Sequence, residues 1–474
     1  MDRGVESVKN TRNQLSLTEG NVIRVLLRFT VPFLLANLLQ ALYGAVDLLA
    51  VGMFCGAQSI AAVSTGTQVT QMITSLISGL TLGGTVLVGK YIGMKKEERA
   101  RKAIGTTIVS FGIFALILTA AMAGNASAIL RLLAVPEASF AEARAYVVIC
   151  SLGSLFLCDY NAVSAVLRGW GDSVSPLLCI AAACLCNVAG DFYLVGALHM
   201  GAAGTAAATV LSQAVSMFFA VFFLRRKNAE LRLSRADFIP GKGMIRELAL
   251  IGVPVSFEEC MVRFSFLYLT AIINGFGVYA ASAVGIAGKY DVFAMLPATS
   301  AGSALAALTA QNAGAGKKER AAEFLRWGTL FSLAAASLFF LWAQAAPATM
   351  LGIFSRDPEV IRAGTSFLRS CSLDYLAVAL LFCANGYLNG LEKTVFTMLN
   401  CCAGALLIRV PLLALLTHAG AQSLLLYGMV SPFSSAVMLS VLGAYEARAR
   451  RRRKKGGVSP APSAGSHAET RKPE

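Results

Sequence analysis

Apolar runs long enough to cross a bilayer recur twelve times along the chain, centred near residues 40, 73, 113, 156, 186, 213, 261, 295, 334, 377, 405 and 432. At a rise of 1.5 Å per residue, about 20 apolar residues cover the hydrocarbon core. The pattern therefore predicts an all-α polytopic membrane protein with twelve transmembrane helices. The first run, Val31 to Phe54, carries one charge, Asp47, well inside it. A carboxylate in hydrocarbon is costly and by default marks a functional site.

The pattern repeats itself. Ile23-Arg24, Val31-Pro32 and Lys95-Lys96-Glu97 recur as Ile245-Arg246, Val253-Pro254 and Lys317-Lys318-Glu319, all displaced by 222 residues. The turn Leu167–Ser173 is echoed by Leu388–Thr394 at a displacement of 221. Six spans per copy is an even number, so both halves enter the membrane in the same sense. They are expected to relate by a pseudo-twofold axis along the membrane normal, with a binding site between or within the halves. The expected division is an N-terminal arm (1–21), a first six-helix lobe (22–224), a linker loop (225–247), a second lobe (248–447) and a basic tail (448–474), read as disordered.

Composition agrees with the membrane reading. The chain of 474 residues is 56% hydrophobic and 14% charged, with mean hydropathy +0.65, against about 25% charged for soluble domains. The net charge of +15 would suggest nucleic acid in a soluble protein, but its distribution excludes that partner. Thirty-three of the 41 Lys and Arg fall on one side of a twelve-span topology, five on the other and three within spans. This bias places both termini in the cytoplasm. The polar start lacks the short apolar core of a cleavable signal, so the first span is expected to stay as a helix. The tail reads as an anchor beside anionic lipid. Eleven scattered cysteines without ligand spacing read as small buried residues.

Candidate chemistry follows from depth. Asp47 lies 19 residues beyond Arg28, and Asp191 lies 19 beyond Asp172, so both sit about 28 Å above their cytoplasmic anchors. Asn187 precedes Asp191 by one helical turn and shares its face. First-half spans offer no Lys, Arg or His to neutralise these acids, so the pair would exchange protons, share a cation, or serve only as hydrogen-bonding cement between helices. Asp159, with Tyr160 and Asn161, is a candidate to line the same cavity or to pack. The second half carries Glu258, Glu259, Arg263, Lys289, Asp291, Asp374 and Arg409 at membrane depth. These read either as an ion-pair network or as a second cation site built from Glu258 or Glu259 with Asp374. Counted at 222 and 221 residues, the counterparts of Asp47, Asn187 and Asp191 are Leu269, Ile408 and Leu412, so the acidic site belongs to the first half alone.

YGAVDLLAVG at the end of span 1, NVAGDFYLV followed by GAAGTAAATVLSQ, LRGWGDS and the repeat together resemble the multidrug and toxic compound extrusion (MATE) family over roughly residues 20–447. The resemblance implies two six-helix lobes forming a V. It also implies export of bulky, often cationic organic compounds in exchange for H⁺ or Na⁺, by a multi-pass protein of the plasma (inner) membrane. It places the ion site on Asp47, Asn187 and Asp191, and puts Thr209 and Asn161 near polar first-lobe positions. No cofactor beyond the coupling ion is expected; the expected partners are small organic molecules and lipid, and the chain is expected to be monomeric. The alternative within the superfamily is a lipid-linked oligosaccharide flippase, for which Arg263, Lys289 and Arg409 would serve a pyrophosphate. An enzyme is disfavoured, because no His-rich, Ser/Lys or paired-Asp catalytic motif stands out.

Overall fold

The computed structural model describes residues 17–133 and 135–455. Of the expected N-terminal arm only residues 17–21 fall within it, and the tail beyond Lys455 lies outside the described residues. Among the described residues the chain forms twelve long helices: α1 (Val22–Phe54), α2 (Ala57–Gly93), α3 (Glu97–Leu132), α4 (Glu137–Trp170), α5 (Val174–Ala197), α6 (Gly201–Leu231), α7 (Lys242–Asn274), α8 (Val278–Gly314), α9 (Lys318–Ala345), α10 (Pro358–Gly390), α11 (Thr394–His418) and α12 (Leu424–Lys455). Eleven are long and apolar enough to cross a membrane. The remaining one, α7, is equally long but carries Glu258, Glu259 and Arg263 within its apolar stretch.

Local chemistry sets the ends. Asn21 caps α1 by accepting from the Arg24 N–H at 3.1 Å, which satisfies one of the orphan donors of a helix start. Gly171 ends α4 with φ 103°, a left-handed conformation that glycine adopts without strain. Asp172 then accepts from the N–H groups of Val174 and Ser175, both at 3.0 Å, and pairs with Lys227 at 2.6 Å.

Three segments flanking the spans are settled by the structure. The outer segment around Pro136 does not form a separate short helix: α4 starts at Glu137 and runs unbroken to Trp170, with no proline inside it and with Gly153 closed in by Val210. The second lobe does have such a helix, Pro347–Phe354, parted from α10 by Ser355–Asp357. The linker is largely helical, since α6 runs on to Leu231 and α7 begins at Lys242, with a 3₁₀ turn at Arg235–Phe238 between them. Buried Asp237 pins that turn, accepting from the Ser234 N–H and hydroxyl at 2.8 and 2.9 Å. Likewise 448–455 is not disordered but continues α12. Runs of Arg, Lys, Ala, Leu and Glu are good helix formers and propagate from an existing helix.

The first lobe packs α2, α3, α4 and α6 together with α5; the second packs α8, α9, α10 and α12 with α7 against α11. The lobes meet along α2 against α7 and α8. A Cβ placed on Gly83 would lie 2.8 Å from Gly252 Cα, so the two backbones touch where neither residue has a side chain. One helix crosses the lobe boundary. The first half of α1 packs Val25, Leu26, Phe29 and Phe33 against Ala304, Leu305, Leu308 and Phe324 of the second lobe, whereas Val51 near its other end packs into the first-lobe core.

Candidate functional site

Three helix ends build the first-lobe site. Asp47 lies two turns before the end of α1, Asp191 six residues before the end of α5, and Thr209 in the third turn of α6, so all three meet at the end of the molecule opposite the basic loops. Asp47 is 6% exposed, while Asp191 and Asn187 are fully buried. The Thr209 hydroxyl donates to Asp47 Oδ2 at 3.4 Å, and Asp191 and Asn187 both lie against the Asp47 carboxylate. Asp47 and Asp191, which the depth count put at one level, therefore adjoin in the structure together with Asn187. Asp47 Oδ1, both Asp191 oxygens, both amide atoms of Asn187 and Thr205 Oγ1 are buried without a hydrogen-bond partner among the described residues. Such orphaned groups are costly. Two carboxylates in contact cannot both stay ionised in low dielectric without a proton or a cation between them.

Immediately after Asp191, α5 widens into a π-helical turn, Phe192–Ala197. Wide turns of this kind often accompany functional sites. A second π turn, Ala403–Arg409, precedes Pro411 in α11; Pro411 has no N–H to return to the carbonyl four residues back. Hydrophobic periodicity does not register either turn. Helical spacing, by contrast, points to Tyr43 and Thr205, each one turn before a site residue and both missed by the sequence reading; Tyr43 sits beside Asp47.

A separate cavity of about 720 Å³ lies between the lobes. Tyr160 and Asn161 line this inter-lobe cavity rather than a first-lobe cavity shared with Asp47, and Asp159 lines neither; it faces Gly112 on α3. Helical geometry turns adjacent residues about 100° apart, and the packing of α4 decides which of them faces the cavity. Thr209 belongs to the Asp47 site rather than to this cavity. Arg168, expected in a cytoplasmic turn, lines the cavity and stacks over the Phe33 ring at 4.1 Å. The second lobe contributes Glu258, Glu259, Asp291, Asp374 and Arg263 to the wall.

The second-lobe charges do not close into direct ion pairs, although Arg263 acts on Glu259 and Arg409 on Asp374 at longer range. Among the described residues no salt bridge of 4 Å or less joins any two of them. Their bases make their hydrogen bonds to neutral groups: Arg263 reaches across to the first lobe and donates to Ser75 Oγ at 2.7 Å, and Arg409 donates to Ser265 Oγ at 2.9 Å and covers the Phe266 ring. Lys289 is exposed and turned away from the cavity. Nor can Glu258 and Asp374 hold one cation. Glu258 accepts from Asn385 Nδ2 at 3.4 Å, and Asn385 lies eleven residues beyond Asp374 on one continuous stretch of α10, about 16 Å along the axis. The burial pattern also corrects the repeat register in α11. Asn187 and Asp191 are matched by buried Arg409 and Leu413, not by Ile408 and Leu412, and Leu413 shares a core cluster with Leu269. The second lobe thus replaces the acidic site with an apolar plug and an arginine.

The MatE family profile matches residues 32–193 and again 254–415, two segments displaced by the same 222 residues as the repeat. The chain belongs to the MATE family. Among its relatives, the probable multidrug resistance proteins YpnP and YoeA of Bacillus subtilis are 25% and 27% identical to it. These alignments cover 78% and 73% of this chain and 82% and 76% of theirs. An outward-facing multidrug resistance MATE family transporter of the MOP superfamily superposes with a TM-score of 0.87 at 18% identity, over 95% of this chain and all of that one. That likeness places this chain in the two-lobed, twelve-helix MATE architecture.

Proposed function

We propose that this MATE protein is a secondary active exporter of bulky organic cations, driven by H⁺ or Na⁺ entering through the Asp47–Asp191 pair. The observation that carries the reading is the pair itself: two buried carboxylates in contact, with orphaned oxygens and, among the described residues, no base against them, in one lobe of a duplicated scaffold. A proton or a sodium ion satisfies those oxygens, and its loss leaves repulsion that repacking of α1 against α5 relieves. The names of the relatives, multidrug resistance proteins, support the same direction.

The inter-lobe contacts supply the alternation. Tyr91 donates to Glu247 at 2.8 Å, Lys90 pairs with Glu392 at 2.6 Å and Glu247 at 3.5 Å, and Gln311 donates to the Gly169 carbonyl at 2.6 Å. All lie at the basic end, which the positive-inside rule assigns to the cytoplasm, so the lobes are clamped on that side. Binding of the ion shifts the balance between this arrangement and one open to the cytoplasm only by its differential affinity for the two. A flippase for pyrophosphate-linked sugar is the weaker reading, because four carboxylates line the cavity against Arg168 and Arg263, while Lys289 and Arg409 stand outside it.

The test is accumulation of a fluorescent cation inside inverted vesicles, whose lumen corresponds to the cell exterior, with pH and Na⁺ gradients imposed separately. One gradient is expected to drive efflux, and Asp47→Asn to abolish it. Wild-type rates in that variant would sink the coupling role.

A further inference from the structure

The cavity's acids do not form one cluster. Arg263 acts on Glu259 one helical turn away, and Arg409 acts on Asp374. Among the described residues, this leaves Glu258 and Asp291 facing the cavity with neutral hydrogen-bond donors and no base acting on them; the charges that do act on them are the neighbouring acids, Glu259 on Glu258 and Asp374 on Asp291. Asn385 donates to Glu258 at 3.4 Å and Tyr375 donates to Asp291 at 2.7 Å. Tyr375 and Asn385 lie ten residues apart on one continuous stretch of α10, so the two acids sit at levels about 15 Å apart.

Each level also holds a buried oxygen that the protein leaves unmet. At the lower level it is Asn385 Oδ1, on a residue 7% exposed, together with Glu258 Oε2; at the upper level it is Asp374 Oδ1, on a residue 2% exposed. The cavity is long enough to contain both levels, since its lining on α10 runs from Phe367 to Asn389. Phe266 and Phe382 supply apolar wall along it, and aromatic faces and edges suit an apolar spacer or a quaternary ammonium head.

We propose that the cavity is built for elongated dications, with one cationic head at Glu258–Asn385 and the other at Asp291–Asp374. This rests on the exporter reading and narrows its substrate class. A single carboxylate cluster would hold one charge at one depth; two poles with a hydrocarbon wall between them reward a second charge only at the right spacing.

The experiment uses the full chain in nanodiscs and a series of bis-quaternary ammonium compounds whose polymethylene spacers set the nitrogens roughly 7, 11, 15 and 19 Å apart, around the separation read from the helix rise. Mono-quaternary compounds of matched length are the controls. Affinity is expected to peak near the third spacing, at least tenfold tighter than the matched mono-cation. Glu258→Gln and Asp291→Asn are each expected to bring the bis-compound down to the mono-cation's affinity. Affinity that climbs smoothly with length, with no gain from the second charge, overturns the proposal in the wild-type protein, whatever the variants do. Transport of a mono-cationic dye in proteoliposomes separates the two readings. Ion-driven dye transport with no spacing preference sinks the two-pole assignment and leaves the exporter. A spacing optimum without ion-driven transport sinks the exporter and supports the two poles.

Discussion

The side chains with the most at stake in this fold are those whose polar atoms the protein leaves unmet. Asp47 and Asp191 touch, so they are expected to behave as one unit. Asp47→Asn and Asp191→Asn should each lower ion-driven efflux more than tenfold, and the double variant should be no worse than either single one. Multiplying losses would show two independent sites. Asp172, outside the spans, makes the opposite case. Burial raises its carboxyl, but hydrogen bonds from Lys227 and Ser175 outweigh this and hold it below the usual range. A carboxylate depressed in the folded state contributes stability above its unfolded value near 4 and loses that contribution as pH falls through the folded one. Asp172→Asn should therefore cost about 1–3 kcal/mol at pH 7, with the gap to wild type in detergent melting curves closing towards pH 3. A gap that does not change with pH would mean that the charge contributes nothing.

Helices decide what those side chains can do together. The helix α1 belongs to both lobes: Phe29 is fully buried against the second, while Asp47 and Val51 are built into the first. Any rocking of the lobes must bend α1 between these anchors, and Pro32, inside the helix without an N–H, weakens its ladder there. Phe29→Ala should free the lower anchor, lowering thermal stability by about 3 kcal/mol of lost packing and slowing efflux, because α1 then moves without transmitting force. An unchanged efflux rate beside a lowered melting temperature would show that the anchor is purely structural. The π turn after Asp191 sits on the other helix of the pair, so both carboxylates ride on segments with weakened backbone ladders.

On the scale of the whole molecule, the duplicated lobes close at one end through a small set of contacts around Lys90. Its pairs with Glu392 and Glu247 are half exposed, so solvent screening limits them to about 1 kcal/mol together, roughly a fivefold change in the balance between closed and open forms. Lys90→Glu should raise hydrogen exchange across Val86–Tyr91 and Leu248–Gly252 by about that factor, and adding Glu392→Lys should restore protection. Exchange unaltered in the single variant would show that the Gly83–Gly252 contact alone holds the end shut. The two lobes have also diverged in purpose. Leu269 and Leu413 fill the place of the two acids in the second lobe, so the buried acid pair sits in one half and most of the cavity's charge in the other.

Twelve spans, the repeat and its parallel sense were legible in the sequence because bilayer thickness and charge bias constrain every residue of such a chain. The partnership of Asp47, Asn187 and Asp191 was legible too, since depth along a helix is set by a fixed rise per residue. Depth, however, says nothing about rotation around the axis or about which helices adjoin. Packing alone therefore turned Asp159 away from the cavity and Lys289 out of it, sent Arg263 across to Ser75, and set Glu258 and Asp374 on separate levels. It also drew the start of α1 into the second lobe. Side-chain direction and the pairing of distant helices are properties of contact between segments, and no single segment of sequence contains them.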